Sequence, residues 1–236
     1  MEYTLLLALV DFLPIVFTAV GLFAITRIVA HVNSLQGKVA FYGTLLTLAG
    51  GIFKALWKLI MASSNSTVDI QWMEKSLFVL MAPGYVLVAW SVWQTMRAAQ
   101  GKRSFHAWAP PLTLIGVVFT TSAYLFVKQP VSPAWERVLL SVMVLATLFT
   151  GVFLILFSFR QGLPSAGWLF ILNLIGIFLL NGLARLDNQP ITLQWIEEGI
   201  NIIAWLAFAM ASTHIYGYAR ANFKVDSKQI GLAATS

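Results

Sequence analysis

The chain has 236 residues, 59% of them apolar and 10% charged, with a mean hydropathy of +0.81 and a formal net charge of +6. Soluble domains carry about 25% charged residues, so a water-facing surface is excluded and lipid is the natural solvent. Having no cysteine, the chain has no disulfide, thiolate metal site, cysteine-ligated cluster or cysteine nucleophile, and its scattered basic residues form no nucleic-acid-binding patch.

In lipid the backbone must pair with itself, as helices or a closed barrel. The apolar runs are about 20 residues long and continuous, whereas barrel strands are about 10 residues and alternate. An all-α, seven-span membrane protein is therefore predicted. The spans, in order, are Thr4–Ile28, Ala40–Ala62, Gln71–Trp93, Trp108–Val127, Arg137–Phe159, Ala166–Leu186 and Gln194–Tyr218. Met1-Glu2-Tyr3 lacks the cationic segment of a signal peptide and the first run is too long for one, so it reads as a true span. Residues beyond Ala221 are polar, with Gly, Ser and Thr, and read as a flexible tail.

The connections sort into two sets. Arg27, Lys38, Arg97, Lys102, Arg103, Arg160, Arg220, Lys224 and Lys228 fall on one side. Glu2, Asp69, Lys128, Glu136, Arg137, Arg185 and Asp187 fall on the other. By the positive-inside rule the first side is cytoplasmic, which puts the N-terminus outside and the C-terminus inside. Trp72, Trp135 and Trp195 mark the outer interface; Trp93, Trp108 and Trp168 mark the inner one. The expected location is the plasma (inner) membrane, multi-pass, with the lipid bilayer as the first partner.

Gln71-Trp72-Met73-Glu74 recurs as Gln194-Trp195-Ile196-Glu197, an offset of 123 residues that also carries Arg97 onto Arg220 and Asn65 onto Asn188. This points to a duplication: unit 1 over about 4–98, a connector helix over about 108–127, and unit 2 over about 135–221. An odd connector between two triplets orients both units alike, about an axis along the membrane normal.

Ionisable residues within spans are costly and are paired or functional. Asp11 lies about 10 Å below the outer edge of its span, counting 1.5 Å per residue. Lys54 and Lys58 are one turn apart on one face of the second span. Depth matching pairs Asp11 with Lys54, Lys58 with Glu74, and Arg185 with Glu197. A site at the seam between units would comprise Asp11, Lys54, Lys58, Glu74, Asn181, Arg185, Glu197 and Asn201, with Glu198 beside it. The two lysines favour an anion if their partners leave charge to spare. Pro14 interrupts the first span, and Pro83-Gly84 interrupts the third at mid-depth as a hinge candidate. Gly50-Gly51 permits close helix approach.

His31, His106 and His214 map near the inner interface; His31 and His214 are the candidates for axial haem or metal ligation. No His-x-x-His or Glu-x-x-His spacing accompanies them. Phosphate-loop, Gly-x-Ser-x-Gly and His-Glu-x-x-His motifs are absent, and Ser76 and Ser141 lie at the opposite depth from His214, so nothing points to an enzyme. The three-plus-one-plus-three layout resembles that of the SWEET sugar transporters in architecture, without their Pro-Gln motif: Gln129-Pro130 and Gln189-Pro190 are reversed. Seven spans with an outer N-terminus are also similar to microbial rhodopsins, but the last span has no lysine for a Schiff base. The leading expectation is binding or transport of a small polar or anionic solute at the seam. The alternatives are a non-transporting membrane subunit, sensor or assembly factor with a protein partner, and a haem or redox protein.

Overall fold

A computed structural model of the chain describes residues 4–64, 67–103, 105–183, 186 and 190–222. It is all-helical, with no strand among the described residues: α1 (Leu5–Val10), α2 (Phe12–Val32), α3 (Ser34–Ser63), α4 (Gln71–Ala99), α5 (Ala109–Lys128), α6 (Ala134–Arg160), α7 (Pro164–Leu183) and α8 (Ile191–Asn222). With α1 and α2 counted as one span, seven helical segments of 20 to 32 residues are long and apolar enough to cross a bilayer. Their exposed faces carry Val117, Phe149, Phe178 and Ile203, as lipid contact requires.

Several helix ends run beyond the spans read from the sequence. A connection is expected over 29–39, yet α2 and α3 are separated by Asn33 alone. Its Oδ1 accepts from the Leu35 and Gln36 amides at 3.0 Å, capping α3. Helices α4 and α8 likewise run past Trp93 and Tyr218. Hydropathy finds only the portion of a helix inside hydrocarbon; the polar turns that continue into the headgroup region are invisible to it. The first span, by contrast, is broken. Pro14 has no amide hydrogen to offer the Val10 carbonyl, and its ring crowds that position. Helix α1 ends at Val10, Asp11 forms the turn, and α2 begins at Phe12.

Six of the spans form a ring in the order α1/α2, α3, α4, α6, α7, α8, closed by α8 against α2. Helix α5 lies outside it, against α6 and α4. The central core joins Leu22, Val88, Leu154, Phe170, Phe208 and Ile215. The most intimate pair is α3 with α4. A Cβ on Gly43 would lie 2.7 Å from the Gly84 carbonyl oxygen, and one on Gly50 2.8 Å from the Met81 side chain. Without a hydrophobic force between helices in lipid, such small-residue contacts let dispersion act at short range. Between neighbouring helices of the ring, Asn173 of α7 donates to the Ala204 carbonyl of α8 at 2.9 Å, and the Thr26 and Thr44 hydroxyls of α2 and α3 meet at 3.0 Å.

Gly43→Val is therefore expected to destabilise the protein by about 1–3 kcal/mol through overpacking, read as a fall of several degrees in the unfolding midpoint in detergent. Gly116→Ala, on a face with nothing within 4 Å of the added carbon, is expected to be neutral or slightly stabilising.

Candidate functional site

The break at Asp11 positions the first charged group. Its backbone amide turns back on the Leu7 and Leu9 carbonyls, and its carboxylate is held by Lys58 at 2.5 Å. The turn below it is stiffened by the Thr18 hydroxyl, which donates to the Pro14 carbonyl at 2.7 Å. From α8, Glu198 comes within hydrogen-bonding reach of both Asp11 and the Asn201 amide. Asp11 is 9% exposed and Glu198 5%, so the two carboxyls meet almost out of solvent.

These groups border a cavity of about 320 Å³ between α1/α2, α3, α4, α6, α7 and α8. Its polar wall is Asp11, Thr18, Lys54, Lys58, Glu197, Glu198 and Asn201; its apolar wall includes Gly51, Met143, Leu180 and Trp205. Toward the opposite end of the bundle the axis is filled by aromatic rings. Trp205 meets Phe208 edge-on at 5.4 Å, and Phe208 meets Phe170 at 5.9 Å. Phe208 in turn packs against Gly21, where any side chain would collide with its ring.

Of the eight site residues read from the sequence, five line this cavity: Asp11, Lys54, Lys58, Glu197 and Asn201. Glu74 does not line it but is near enough for its charge to act on Lys54. Asn181 does not reach it; its amide donates to the Ile177 carbonyl of its own helix at 2.8 Å. Arg185, with its expected pairing to Glu197, lies outside the described residues, as do Asn65, Asn188 and the tail beyond Asn222. The pairing of Asp11 with Lys54 is corrected: the partner is Lys58. Depth counting treats spans as upright rods and is good to about one turn, or 5.4 Å, which is the separation of the two lysines. Pro83 and Gly84 are both buried within an unbroken α4, with Gly84 against Gly43 and Thr47 of α3. Glu198 joins the site, although the sequence reading placed it only beside the face of Glu197 and Asn201; its signal was the second of two adjacent carboxylates in an apolar run.

At the other end, acidic side chains are absent among the described residues, and Arg97 lies beside the stacked rings of Trp93 and Phe105, 5.0 and 4.6 Å from their centres. His106 lines a cleft there with Arg97 and Arg103. His214 Nδ1 lies 3.2 Å from Ser165 Oγ, a serine–histidine contact the sequence reading did not consider, and it is exposed. No group of three His, Asp or Glu side chains placed to hold a metal occurs among the described residues. A scan of known protein families finds no matching model, and neither the curated proteins nor the solved structures contain a match to this chain.

Breaking the Asp11–Lys58 pair is expected to cost about 1–3 kcal/mol, below the ~3–5 kcal/mol of a fully buried pair because Lys58 is 20% exposed. Lys58→Met should cost more than Asp11→Leu, since Glu198 stands ready to accept from Lys58. The double variant should recover most of the loss in a detergent unfolding titration; simple addition of the two single effects would refute the pairing.

Proposed function

We propose that this protein binds or moves a small polar solute at the seam between two like-oriented three-helix units. The supporting observation is the cavity itself: its ionised groups come from α1/α2 and α3 on one side and from α8 on the other. Charged side chains cost several kcal/mol at bilayer depth unless paired or hydrated, and a cavity wide enough for water or solute is what makes so many of them tolerable together.

The duplication has support beyond the repeated phrase. Gly50 rests on Met81 and the Leu77 carbonyl. Shifted by 123 residues, that contact becomes Asn173 donating to Ala204, with neighbouring Gly176 against Ala204 and the Ile200 carbonyl. The ring order fits the same symmetry, because the last helix of each triplet (α4, α8) packs on the first of the other (α6, α2). In this reading the basic end, with Arg27, Lys38, Arg97, Arg103, Arg160 and Arg220, faces the cytoplasm. The cavity then opens outward, the Trp205–Phe208–Phe170 ring stack closes it inward, and the units rock against each other with Pro83-Gly84 as the pivot. The Asp11–Lys58 pair also fits a second reading, in which the charges only fasten helices of a membrane subunit together.

Because the chain has no cysteine, one thiol separates the two readings. Asn201→Cys is expected to react with a membrane-impermeant methanethiosulfonate reagent applied from outside. Ile203→Cys, two residues on and 56% exposed on the lipid face, should not. An inert Asn201→Cys would favour the fastened bundle. Reaction only from the cytoplasmic side would reverse the orientation.

A further inference from the structure

The cavity holds charges of both signs that the protein does not pair, and they stand on opposite walls. On α3, Lys54 forms no ion pair among the described residues, although Asp11, Glu74 and Glu197 all act on it through space. On α8, Glu197 and Glu198 each keep one carboxylate oxygen buried and without a hydrogen-bond partner. The second lysine is committed, since Lys58 holds Asp11. What is left over is an ammonium facing two carboxyl groups that each keep an unsatisfied oxygen, too far apart to form an ion pair.

A lone anion would satisfy Lys54, but it would leave the glutamate oxygens on the other wall without a donor and add negative charge beside Asp11 and Glu197. A lone cation would satisfy the glutamates and leave Lys54 unpaired. A molecule carrying both charges completes both walls and adds no net charge to a low-dielectric site. We propose that the cavity binds a small zwitterion, with its ammonium at Glu197 and Glu198 and its carboxylate at Lys54. This rests on reading the cavity as a solute site and names the class of solute. The remaining wall suits it. Trp205 contributes an aromatic ring to the lining, and a space of about 320 Å³, at the lower end of ligand pockets, takes a molecule of amino-acid size. Such a ligand bridges α3 of one triplet to α8 of the other, so occupancy and the relative position of the units become linked.

The test uses purified full-length protein in nanodiscs at neutral pH, titrated calorimetrically with alanine, ethylamine and propionate, which separate the zwitterion from its two half-charges. Alanine is expected to bind at least about tenfold tighter than either fragment, a margin of ~1.4 kcal/mol. Glycine, β-alanine and γ-aminobutyrate then act as a ruler, with one spacing between the charges preferred. Lys54→Met is expected to reduce alanine to the affinity of ethylamine and to leave ethylamine unchanged. Glu197→Gln combined with Glu198→Gln should weaken both. Lys54→Gln serves as the second variant should the methionine form fail to fold. Propionate binding as tightly as alanine would overturn the proposal in favour of an anion site, and ethylamine doing so in favour of a cation site. Absence of binding by every probe would also overturn it. Thiol labelling at position 201 decides separately whether the cavity admits solute at all, so loss of the zwitterion and loss of the solute site are distinguishable outcomes.

Discussion

An ionised side chain in hydrocarbon is the most expensive thing this chain contains, and the arrangement of its helices follows from meeting that cost. Two lysines on α3 and two glutamates on α8 cannot face lipid. They can be tolerated only if the ring closes so that α1/α2 brings Asp11 between them. The Asp11–Lys58 contact is therefore less an ornament on the bundle than the condition under which α3, α8 and the first span can share one face. Its net value is modest, because desolvation takes back most of the Coulomb attraction. Its consequence for register is large, because removing either partner would leave a buried charge uncompensated, at more cost than the pair contributes.

Two local devices make that convergence possible. One is a helix break. Pro14 removes the bond to the Val10 carbonyl, so the chain turns at Asp11 and presents a carboxylate from a helix end rather than a helix side. The other is close approach. Gly43, Gly50 and Gly84 let α3 and α4 meet backbone to backbone, while Gly51, on the neighbouring position of α3, faces the cavity. Adjacent glycines thus serve opposite ends: one closes a contact and the next leaves a space. The apolar core of Leu22, Phe170 and Phe208 seals the axis beyond that space, so polar groups and packed rings occupy successive levels of the same bundle.

The long connector α5 takes no part in the ring. It contributes nothing to the cavity, and its exposed Leu112, Val117 and Tyr124 face lipid. In the two-unit reading this is what a crossing that only restores orientation should look like. The remaining six spans form the ring, and the cavity lies among them.

Hydropathy, charge content and run length were enough to specify seven helices and to single out their costly residues, because burial in lipid leaves a direct mark on composition. That mark is one-dimensional. It ends where a helix leaves hydrocarbon, so the Asn33 cap and the overhanging ends of α4 and α8 were not legible. It reports depth only to within a turn, so Lys54 and Lys58 could not be told apart as partners of Asp11. It says nothing about azimuth, so it cannot separate Asn181, whose amide turns to Ile177, from the residues of the site, nor show that Glu198 meets Asp11. Which residues must avoid lipid is a property of their chemistry, and the chain alone determines it. Which of them face one another depends on helix rotation and tilt, set by glycine contacts and a proline break acting across the bundle, and only the tertiary structure decides that.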